Sequence, residues 1–467
     1  MKRVAIIGGG LAGIAAAVRL ADAGCQPILI ESKKRLGGRA TSLVDPRSGH
    51  TIDNCQHVLL GCCTNLIDLY SRLNVLDQIE WHKTLYWTRG RGEIDRMKAG
   101  WLPAPLHLSS SFRRMRIFNR ADKRHIARCM WRMIRMGSKG RFAWRDRTFG
   151  EFLDECGQPR ELVRSFWNTI IVSACNMDAH RVNASHALQV FQEGFLANRW
   201  SYTMGLATVP LAELYAPAID VIIDAGGDIQ LGVSAKAIAF DGRRVTGVVT
   251  EDGLVESAAV VSAAPFDRLD KLVSDALRRA DRRLQCLDHL EVSPILGVHL
   301  YFAQPIMHLP HLVLVDRGVQ WLFNKGVNSD GRQHVHAVIS GADDWMELSE
   351  DEIVQRVLGD VHHALPQSIG LPPVEARSIK EKRATFASLP GMDALRPGAT
   401  PALVGSGGGG VENLFLAGDW TDTGWPATME GAVRSGYAAA AGVLGDASGG
   451  LADDVPAGWL SRILGLK

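Results

Sequence analysis

The fold of this chain is decided near its start, in residues 4–39, which read VAIIGGGLAGIAAAVRLADAGCQPILIESKKRLGGR. Residues 4–7 form an apolar run of the length expected for a buried parallel strand. The Ala-rich segment at 11–23 predicts a helix, and a second apolar strand ends on Glu31. The glycines between the first strand and the helix have the spacing G-x-G-x-x-G, at Gly8, Gly10 and Gly13. This order of elements predicts a Rossmann-like unit that binds a dinucleotide.

Each glycine has a mechanical role in such a unit. Gly8 permits the tight turn, Gly10 lets the backbone approach a pyrophosphate, and Gly13 lets the helix pack closely on the strand. The first helical residues, Leu11 and Ala12, present free N–H groups and the positive end of the helix dipole. The glycine turn is therefore predicted to bind the phosphates.

The residues around the end of the second strand distinguish FAD from NAD. Glu31, with Ser32 beside it, stands where a carboxylate can accept both hydroxyls of an adenosine ribose. Gly37, Gly38 and Arg39 follow, and such a loop can wrap a diphosphate with backbone N–H groups and one guanidinium. A simple turn does not explain an Arg after two glycines, so the sequence favours FAD.

A second cofactor loop is predicted near the other end of the chain. Residues 414–417 read as a buried strand that ends at Gly418 and Asp419, and a new helix opens close to residue 428. The N-terminus of that helix can stabilise negative charge on a flavin. The further cofactor contacts that we predict are Val233, Pro426, Ala427, Thr428, Met429 and Ala432.

The predicted fold class is α/β with a discontinuous cofactor domain. Hairpin signals at 241–242 and 252–253, followed by an apolar strand at 259–264, indicate that the chain returns to the first sheet. We predict a Rossmann-like two-dinucleotide FAD-binding domain and a mixed α+β substrate domain. The FAD-binding domain is assigned to 1–78, 215–275 and 405–445, the substrate domain to 79–214 and 276–404, and a C-terminal tail to 446–467.

Two polar groups are candidates for chemistry. Residues 53–61 (DNCQHVLLG) place Gln56 and His57 before an apolar strand, a pattern that either lines a flavin cavity or caps a local turn. Lys325 follows aromatic residues on a predicted strand, where it is either beside the flavin or a surface Lys. We predict that Gln56 and His57 contact the cofactor, and that His57 and Lys325 are catalytic.

Composition places the chain among ordinary globular proteins. It has 467 residues, 46% hydrophobic and 22% charged, with a net charge of +2. Eight cysteines are scattered without a C-x-x-C pair or metal-ligand spacing, which predicts no metal site and indicates a reducing compartment. No signal peptide precedes the first strand, and no apolar run approaches the roughly 20 residues of a bilayer span. We expect a cytoplasmic protein, peripheral at the inner face of the cytoplasmic membrane.

The most biased stretch is residues 113–147, with thirteen Arg or Lys residues against two Asp residues. Cations recur every three or four positions from Arg120 to Arg135, so they share one face of a predicted helix. Apolar residues such as Ile126 and Met133 supply the other side. This basic amphipathic segment is typical of helices on an anionic membrane surface. A solvated surface helix and a nucleic-acid site are the alternatives, and we expect no nucleic acid because no recognition fold accompanies the charges.

The motifs together resemble a known family. Residues 8–13, 36–39 and 416–419 are similar to those of the flavin amine oxidase and carotenoid desaturase superfamily. More narrowly, 53–61 and 419–432 (DWTDTGWPATMEGA) resemble the hydroxysqualene dehydroxylases, also called squalene-associated FAD-dependent desaturases. Cys55 stands where that family has Gly, and the basic stretch is longer and more charged than the family pattern. The resemblance covers nearly the whole chain.

The resemblance implies a reductive reaction. Hydroxysqualene would lose its allylic hydroxyl and become squalene in hopanoid and isoprenoid biosynthesis, with noncovalent reduced FAD as the hydride source from N5. It implies a C30 isoprenoid substrate in an apolar tunnel, and neighbouring squalene-synthase-like enzymes as partners. His57 would supply the proton to the leaving oxygen or hydrogen-bond in the flavin cavity. An oxidative carotenoid desaturase, a flavin amine oxidase and a noncatalytic FAD-stabilised membrane adaptor are the alternatives.

Overall fold

The computed structural model describes residues 1–401, 409–446 and 448–466. The strands in these ranges are β1 (Arg3–Ile7), β2 (Gln26–Glu31), β3 (Ser42–Val44), β4 (Thr51–Asp53), β5 (Val58–Leu60), β6 (Ile79–His82), β7 (Thr84–Gly90), β8 (Glu93–Lys98), β9 (Met204–Ala207), β10 (Asp228–Leu231), β11 (Ala237–Phe240), β12 (Val245–Thr250), β13 (Gly253–Glu256), β14 (Ala259–Ser262), β15 (Val292–Phe302), β16 (His311–Leu314), β17 (Trp321–Val327), β18 (Gln333–Ser340), β19 (Glu375–Phe386) and β20 (Leu414–Leu416).

The α-helices are α1 (Leu11–Asp22), α2 (Thr64–Arg72), α3 (Ser109–Arg114), α4 (Arg120–Gly140), α5 (Phe149–Glu155), α6 (Arg160–Leu162), α7 (Asn168–Cys175), α8 (Ala184–Phe191), α9 (Leu211–Tyr215), α10 (Ala218–Asp224), α11 (Phe266–Leu272), α12 (Asp275–Ala280), α13 (Glu350–Ala364), α14 (Met429–Leu444) and α15 (Trp459–Ile463). Two π-helical segments, Val163–Trp167 and Gln192–Leu196, join α6 to α7 and extend α8. None of the described helices combines the length and apolar character needed to cross a bilayer.

The N-terminal strand lies in the middle of a five-stranded parallel sheet with the order β10-β2-β1-β14-β20. Ile7 of β1 stands opposite Ile30 of β2 on one side and Ser262 of β14 on the other. Apolar residues fill both faces of β1, because α1 and α14 cover one face and the antiparallel β11-β12-β13 unit covers the other. The strands come from three separate stretches of the chain. The predicted Rossmann-like α/β fold is confirmed.

A second, mixed sheet has the order β19-β15-β18-β17-β16-β7-β8. Its two faces differ because side chains alternate along each strand. Leu296, Val298 and Leu300 of β15 pack with the apolar side of α13. The residues between them, such as His299, lie on the opposite face, which is turned toward the segment that contains Asp53. This opposite face carries the candidate chemistry described below.

Helices α4 to α8 form a layer around an aromatic core that includes Phe149, Trp167 and Phe191. The apolar side of the basic helix α4, including Ile126 and Met133, is buried in this same core. The sequence pattern suggested that this apolar side could meet a membrane. The structure corrects this expectation, because the side is covered by the protein's own core. The outward side of α4 carries exposed cations, namely Arg120, Arg124, Arg128 and Arg135.

The C-terminal residues are packed rather than free. Helix α15 lies against the helical layer, where Ser461 and Leu466 are buried. The sequence analysis assigned 446–467 to a C-terminal tail, and the described residues of that range, 446 and 448–466, include this docked helix. The predicted domain boundary between residues 404 and 405 lies outside the described residues.

Candidate active site

The glycine turn between β1 and α1 has the geometry that a phosphate requires. Gly8 has a φ of 101°. A Cβ on Gly13 would lie 1.9 Å from the carbonyl oxygen of Gly8, so only glycine allows the helix to begin this close to the turn. No side chain caps α1, whose N-cap is Gly10. The first N–H groups of the helix, including those of Leu11 and Ala12, therefore remain available to an external acceptor.

A second glycine loop closes over the first. The N–H of Gly37 donates to the carbonyl oxygen of Gly9 at 2.8 Å. A Cβ on Gly38 would lie 3.0 Å from the Cα of Gly10, whereas a Cβ on Gly10 would meet nothing nearer than 3.9 Å. The two loops thus touch through bare backbone and leave room beside Gly10. This arrangement fits the diphosphate of FAD.

The carboxylate of Glu31 is held at the end of β2. It accepts hydrogen bonds from the N–H of Gly9 and the N–H of Lys33, both at 2.7 Å. The hydroxyl of Ser32 donates at 3.1 Å to Oε1, the oxygen that also accepts from Lys33, and the N–H of Val233 donates to the backbone carbonyl of Glu31 at 3.0 Å. Glu31, Ser32 and Val233 are therefore brought together at one end of the glycine turn. Their contact with the adenosine ribose stays a prediction.

Arg39 joins the two predicted cofactor loops. Its guanidinium forms an ion pair with the carboxylate of Asp419, and its Nη1 donates to the carbonyl oxygen of Ala384 at 2.8 Å. Gly418 donates from its N–H to the hydroxyl of Ser435 in α14 at 2.7 Å. The loop after β2 and the loop after β20 thus form one wall of the site.

Residues 426–432 connect this wall to the start of α14. Thr428 is the N-cap, and its hydroxyl accepts from the N–H of Gly431 at 3.0 Å. Pro426 and Ala427 lead into the first turn, and Met429 and Ala432 lie on the helix. The helix N-terminus can stabilise an anion. The individual flavin contacts predicted for these residues remain predictions.

Arg396 was not identified from the sequence, yet it supports the loop from 419 to 425. Its side chain is fully buried. The guanidinium donates to the carbonyl oxygens of Asp419 at 3.2 Å, Thr421 at 2.5 Å and Trp425 at 2.9 Å. No local motif marks such a residue, because its partners follow it by 23 to 29 positions. Arg396 therefore fixes the backbone of the loop at 419–425.

The structure brings Lys325 to the polar segment at 53–57. The ammonium of Lys325 lies 3.3 Å from Asp53 Oδ2 and 3.2 Å from Gln56 Oε1. Asp53 Oδ1 also accepts from the hydroxyl of Ser42 at 2.8 Å and from the N–H of Leu211 at 3.1 Å. Lys325 is therefore a positioned cation on the inner face of the mixed sheet and not a free surface Lys.

His57 has a different protonation from the one that a proton donor needs. Its Nδ1 lies 3.0 Å from the carbonyl oxygen of Cys55, and because a carbonyl only accepts, Nδ1 carries the proton. Burial lowers the pKa of His57. At neutral pH its Nε2 is thus an acceptor. This geometry favours the hydrogen-bonding role for His57 over the proton-donor role, and both roles stay predictions.

Three further histidines, His299, His334 and His336, lie close to the backbone of Asp53 and were not identified from the sequence. His299 Nε2 donates to the carbonyl oxygen of Asp53 at 3.0 Å, so its Nδ1 must accept, and His334 Nε2 lies 2.9 Å from it. The ring of His336 stacks on His299 with centroids 4.0 Å apart. Burial lowers the pKa of His299 to about 4 and of His334 to about 2. This histidine cluster (His299, His334 and His336) is neutral at neutral pH.

Strand periodicity gives a weak signal for this cluster, because residues two positions apart share one face of a strand. β15 carries His299 and Tyr301 at that spacing, and β18 carries His334 and His336. The pairing register was needed to place them together, with His299 opposite His336 and Tyr301 opposite His334. Within the described ranges, no group of three His, Cys, Asp or Glu side chains could hold a metal ion.

Comparisons with known proteins agree with this geometry. The family model for flavin containing amine oxidoreductases matches residues 11–444. The hydroxysqualene dehydroxylase of Rhodopseudomonas palustris is 30% identical over 463 residues, covering 95% of this chain and 98% of that protein. The 15-cis-phytoene desaturase of Synechococcus elongatus is 25% identical over 464 residues, covering 95% of this chain and 96% of that protein.

Among solved structures, a putrescine oxidase bound to putrescine superposes with a TM-score of 0.72 at 18% identity. The match covers 95% of this chain and 99% of that one, and at this identity it bears on the fold alone. The family match, the near full-length relatives and the two glycine loops that fit a diphosphate agree on the cofactor, which is FAD. The chain belongs to the flavin-containing amine oxidoreductase family and is an FAD-dependent oxidoreductase.

Proposed function

We propose that this enzyme removes the allylic hydroxyl of hydroxysqualene and produces squalene. The observation that carries the proposal is the relative named hydroxysqualene dehydroxylase, which is 30% identical across 98% of its own length. The phytoene desaturase that covers a similar share of this chain is 25% identical. The family-like motif at 53–61 contacts the loop after β2, where the amide of Asn54 donates to the carbonyl oxygen of Arg39, and the motif at 419–432 contains Asp419, the partner of Arg39. Membership of an enzyme family sets aside the noncatalytic adaptor.

The reaction has a simple balance. One allylic C–O bond breaks and one C–H bond forms at the former carbinol carbon or along its allylic system. The oxygen leaves with the bonding electron pair, takes up a proton and departs as water. Reduced FAD, held between the two glycine loops, would supply the hydride and so act as the two-electron reductant. The protein must therefore provide a proton at the leaving oxygen and exclude other acceptors.

We assign Lys325 as the donor of the proton to the leaving oxygen. An ammonium group has three N–H donors, and two of them point to Asp53 and Gln56. The third is free to meet the hydroxyl of a substrate. After the proton has left, solvent can replace it, because the Lys325 side chain is 23% exposed.

The histidine cluster positions this donor. His334 donates to His299, which donates to the backbone carbonyl of Asp53. The carboxylate of Asp53 is then aimed at Lys325 by two further donors, Ser42 and Leu211. Lys325 is thus positioned by a chain of partly or fully buried hydrogen bonds, which has a single arrangement only while the histidines are neutral.

Apolar surroundings suit a long isoprenoid. The same sheet face carries Trp321 and Phe323, whose rings stack with centroids 5.5 Å apart. Both residues contact the core of the helical layer. A C30 chain would gain from such walls, and water is less available there to compete for the hydride.

The test uses enzyme whose FAD has been reduced without oxygen. Hydroxysqualene is added, flavin absorbance is followed, and the products are extracted. We expect the flavin to reoxidise with one squalene formed per flavin. Flavin that stays reduced beside intact hydroxysqualene overturns the proposal.

The second candidate is an oxidative desaturase, which the phytoene desaturase relative favours. The direction of electron flow separates the two reactions. Oxidised enzyme mixed with phytoene without oxygen would lose its flavin absorbance if this candidate were right. Under our proposal the oxidised flavin stays unchanged with phytoene and with simple amines.

A further inference from the structure

Three exposed apolar side chains gather at one place on the helical layer. Trp101 is 84% exposed, Trp459 is 58% exposed and Ile463 is 71% exposed. Between Trp101 and Trp459 lies a groove of about 370 Å³ whose other walls include Ala104 and Arg199. Aromatic residues this exposed are uncommon on a free surface and mark an interaction site. We call Trp101, Trp459 and Ile463 the apolar patch.

The patch is held in a fixed shape. Arg199 Nη1 donates to the carbonyl oxygens of Trp101 at 3.1 Å and Leu102 at 2.9 Å. On the other side of the groove, the N–H of Gly458 donates to Ala197 at 2.8 Å, and the hydroxyl of Ser461 donates to Leu196 at 2.9 Å. The two tryptophans therefore project outward from anchored backbone.

The patch is continuous with the basic helix. Helix α15 leads from Trp459 to Leu466, whose carbonyl oxygen accepts from the N–H of Ser138 at 2.9 Å. A Cβ on Gly137 would lie 2.6 Å from the carbonyl oxygen of Gly465, so the two segments are in direct contact. Lys139, two residues further along α4, is exposed.

The exposed cations of α4 are not neutralised within the protein. Arg124, Arg128 and Arg135 form no ion pair with any residue in the described ranges, whereas Arg132 between them pairs with Glu155. Trp131 is 49% exposed among them. We name Arg124, Arg128 and Arg135 the basic stripe.

We propose that the apolar patch and the basic stripe form one docking surface for an anionic phospholipid bilayer. The indole and isoleucine side chains enter the headgroup region, where Trp is favoured. The guanidinium groups bind lipid phosphates, which retain a negative charge at neutral pH. A nucleic acid would use the stripe and has no need of Ile463, so the presence of both features favours lipid.

This surface differs from the amphipathic helix expected from the sequence. The apolar contribution comes from the loop at Trp101 and from α15, because the apolar side of α4 is buried. The inference goes beyond the proposed reaction and does not depend on which isoprenoid is the substrate.

Vesicle cosedimentation of the full-length FAD-loaded protein tests it. Vesicles of phosphatidylcholine alone are compared with vesicles that contain phosphatidylglycerol. The patch variant is W101S/W459S/I463S, with I369S/V374S as its control, since Ile369 and Val374 are 66% and 51% exposed elsewhere. The stripe variant is R124E/R128E/R135E, with R243E/R244E as its control at an exposed hairpin.

We expect wild type and both controls to bind the anionic vesicles. The patch variant should bind at least about ten times more weakly to them, and the stripe variant should lose binding that depends on phosphatidylglycerol and low salt. Quenching of tryptophan fluorescence by brominated lipid should fall in W101F/W459F.

Three results would overturn the inference. These are wild type that ignores anionic vesicles, a patch variant that binds like wild type, and RNA that binds through the stripe and displaces the protein from vesicles. Turnover in detergent, measured on the same variants, reports folding and the proposed reaction separately from vesicle binding.

Discussion

The guanidinium of Arg39 and the carboxylate of Asp419 form an ion pair across 380 residues of chain. The Asp419 side chain is almost fully buried, whereas that of Arg39 is one-third exposed. This pair ties the loop after β2 to the loop after β20, and both loops are needed to enclose FAD. Loss of Arg39 removes the ion-pair partner of the buried Asp419 carboxylate inside the cofactor site.

Substitution Arg39→Ala should weaken FAD binding by about 10- to 100-fold, since a hydrogen bond to a charged group contributes about 1.5–3 kcal/mol. Titration of the apoprotein with FAD, followed by flavin fluorescence, measures the change. The control is Arg35→Ala, at an exposed position in the same loop. Equal affinity in R39A and R35A would show that the pair does not support the cofactor.

Substitution Lys325→Met should lower squalene formation by about 10²- to 10⁴-fold, the usual contribution of a general acid. FAD affinity should change little, because no predicted FAD contact other than Gln56 touches Lys325. Single-turnover reoxidation of reduced enzyme is the measurement. Lys382→Met, at an exposed position on β19, serves as the control. A K325M enzyme with normal single-turnover rates would remove Lys325 from the mechanism.

Two glycine substitutions should have opposite effects on stability. Gly13→Ala places a Cβ 1.9 Å from the carbonyl oxygen of Gly8, so the helix must shift, and the variant should lose FAD and melt at lower temperature. Gly359→Ala adds a Cβ with nothing within 4 Å inside α13. The free energy of unfolding of G359A should rise by up to about 1 kcal/mol, because Ala has a higher helix propensity than Gly. Thermal melts of both proteins check the prediction, which fails if G13A keeps its cofactor.

Acid should destabilise the protein through the histidine cluster. His299 and His334 have pKa values of about 4 and about 2 in the folded protein, because they are buried. In the unfolded chain a His has a pKa of about 6.5. Between these values the unfolded state binds more protons, so the free energy of unfolding falls as pH falls below about 6.5.

The free energy of unfolding should fall by about 1.4 kcal/mol per pH unit for each such histidine. Urea unfolding of the apoprotein at several pH values from about 7 to 5 measures it. In H299Q/H334Q the free energy of unfolding should depend less steeply on pH, by the equivalent of up to two bound protons. H289Q, at an exposed position, should leave this dependence unchanged. Parallel pH dependence in wild type and H299Q/H334Q would exclude the cluster as the cause.

The sequence identified those parts of the site that depend on local backbone geometry. A glycine turn such as Gly8 to Gly13 is specified by neighbouring residues, so its spacing between two apolar strands predicted the strand-turn-helix unit, and the nearby Gly37, Gly38 and Arg39 favoured FAD. Lys325 was a candidate for the same kind of reason, since it follows aromatic residues on a strand. Its partner Asp53 could not be assigned, because 272 residues separate the two.

Other features depended on which surface covers which. The periodicity of α4 correctly showed two sides but not that the apolar side belongs to the protein's own core. The tautomer of His57 could not be assigned from the sequence, because the position of the Cys55 carbonyl oxygen beside Nδ1 is defined only by the folded backbone. Arg396 has no motif at all, and its function follows from three carbonyl oxygens that face it.

The order of strands in the parallel sheet also determines when the enzyme can acquire its cofactor during synthesis. β1 and β2 are made first, but β1 lacks its second neighbour until β14 is made, and β14 lacks its own until β20. Arg39 meets Asp419 only after that last strand has left the ribosome. The two loops that fit the cofactor can therefore come together only after β20 has been synthesised and has joined β14.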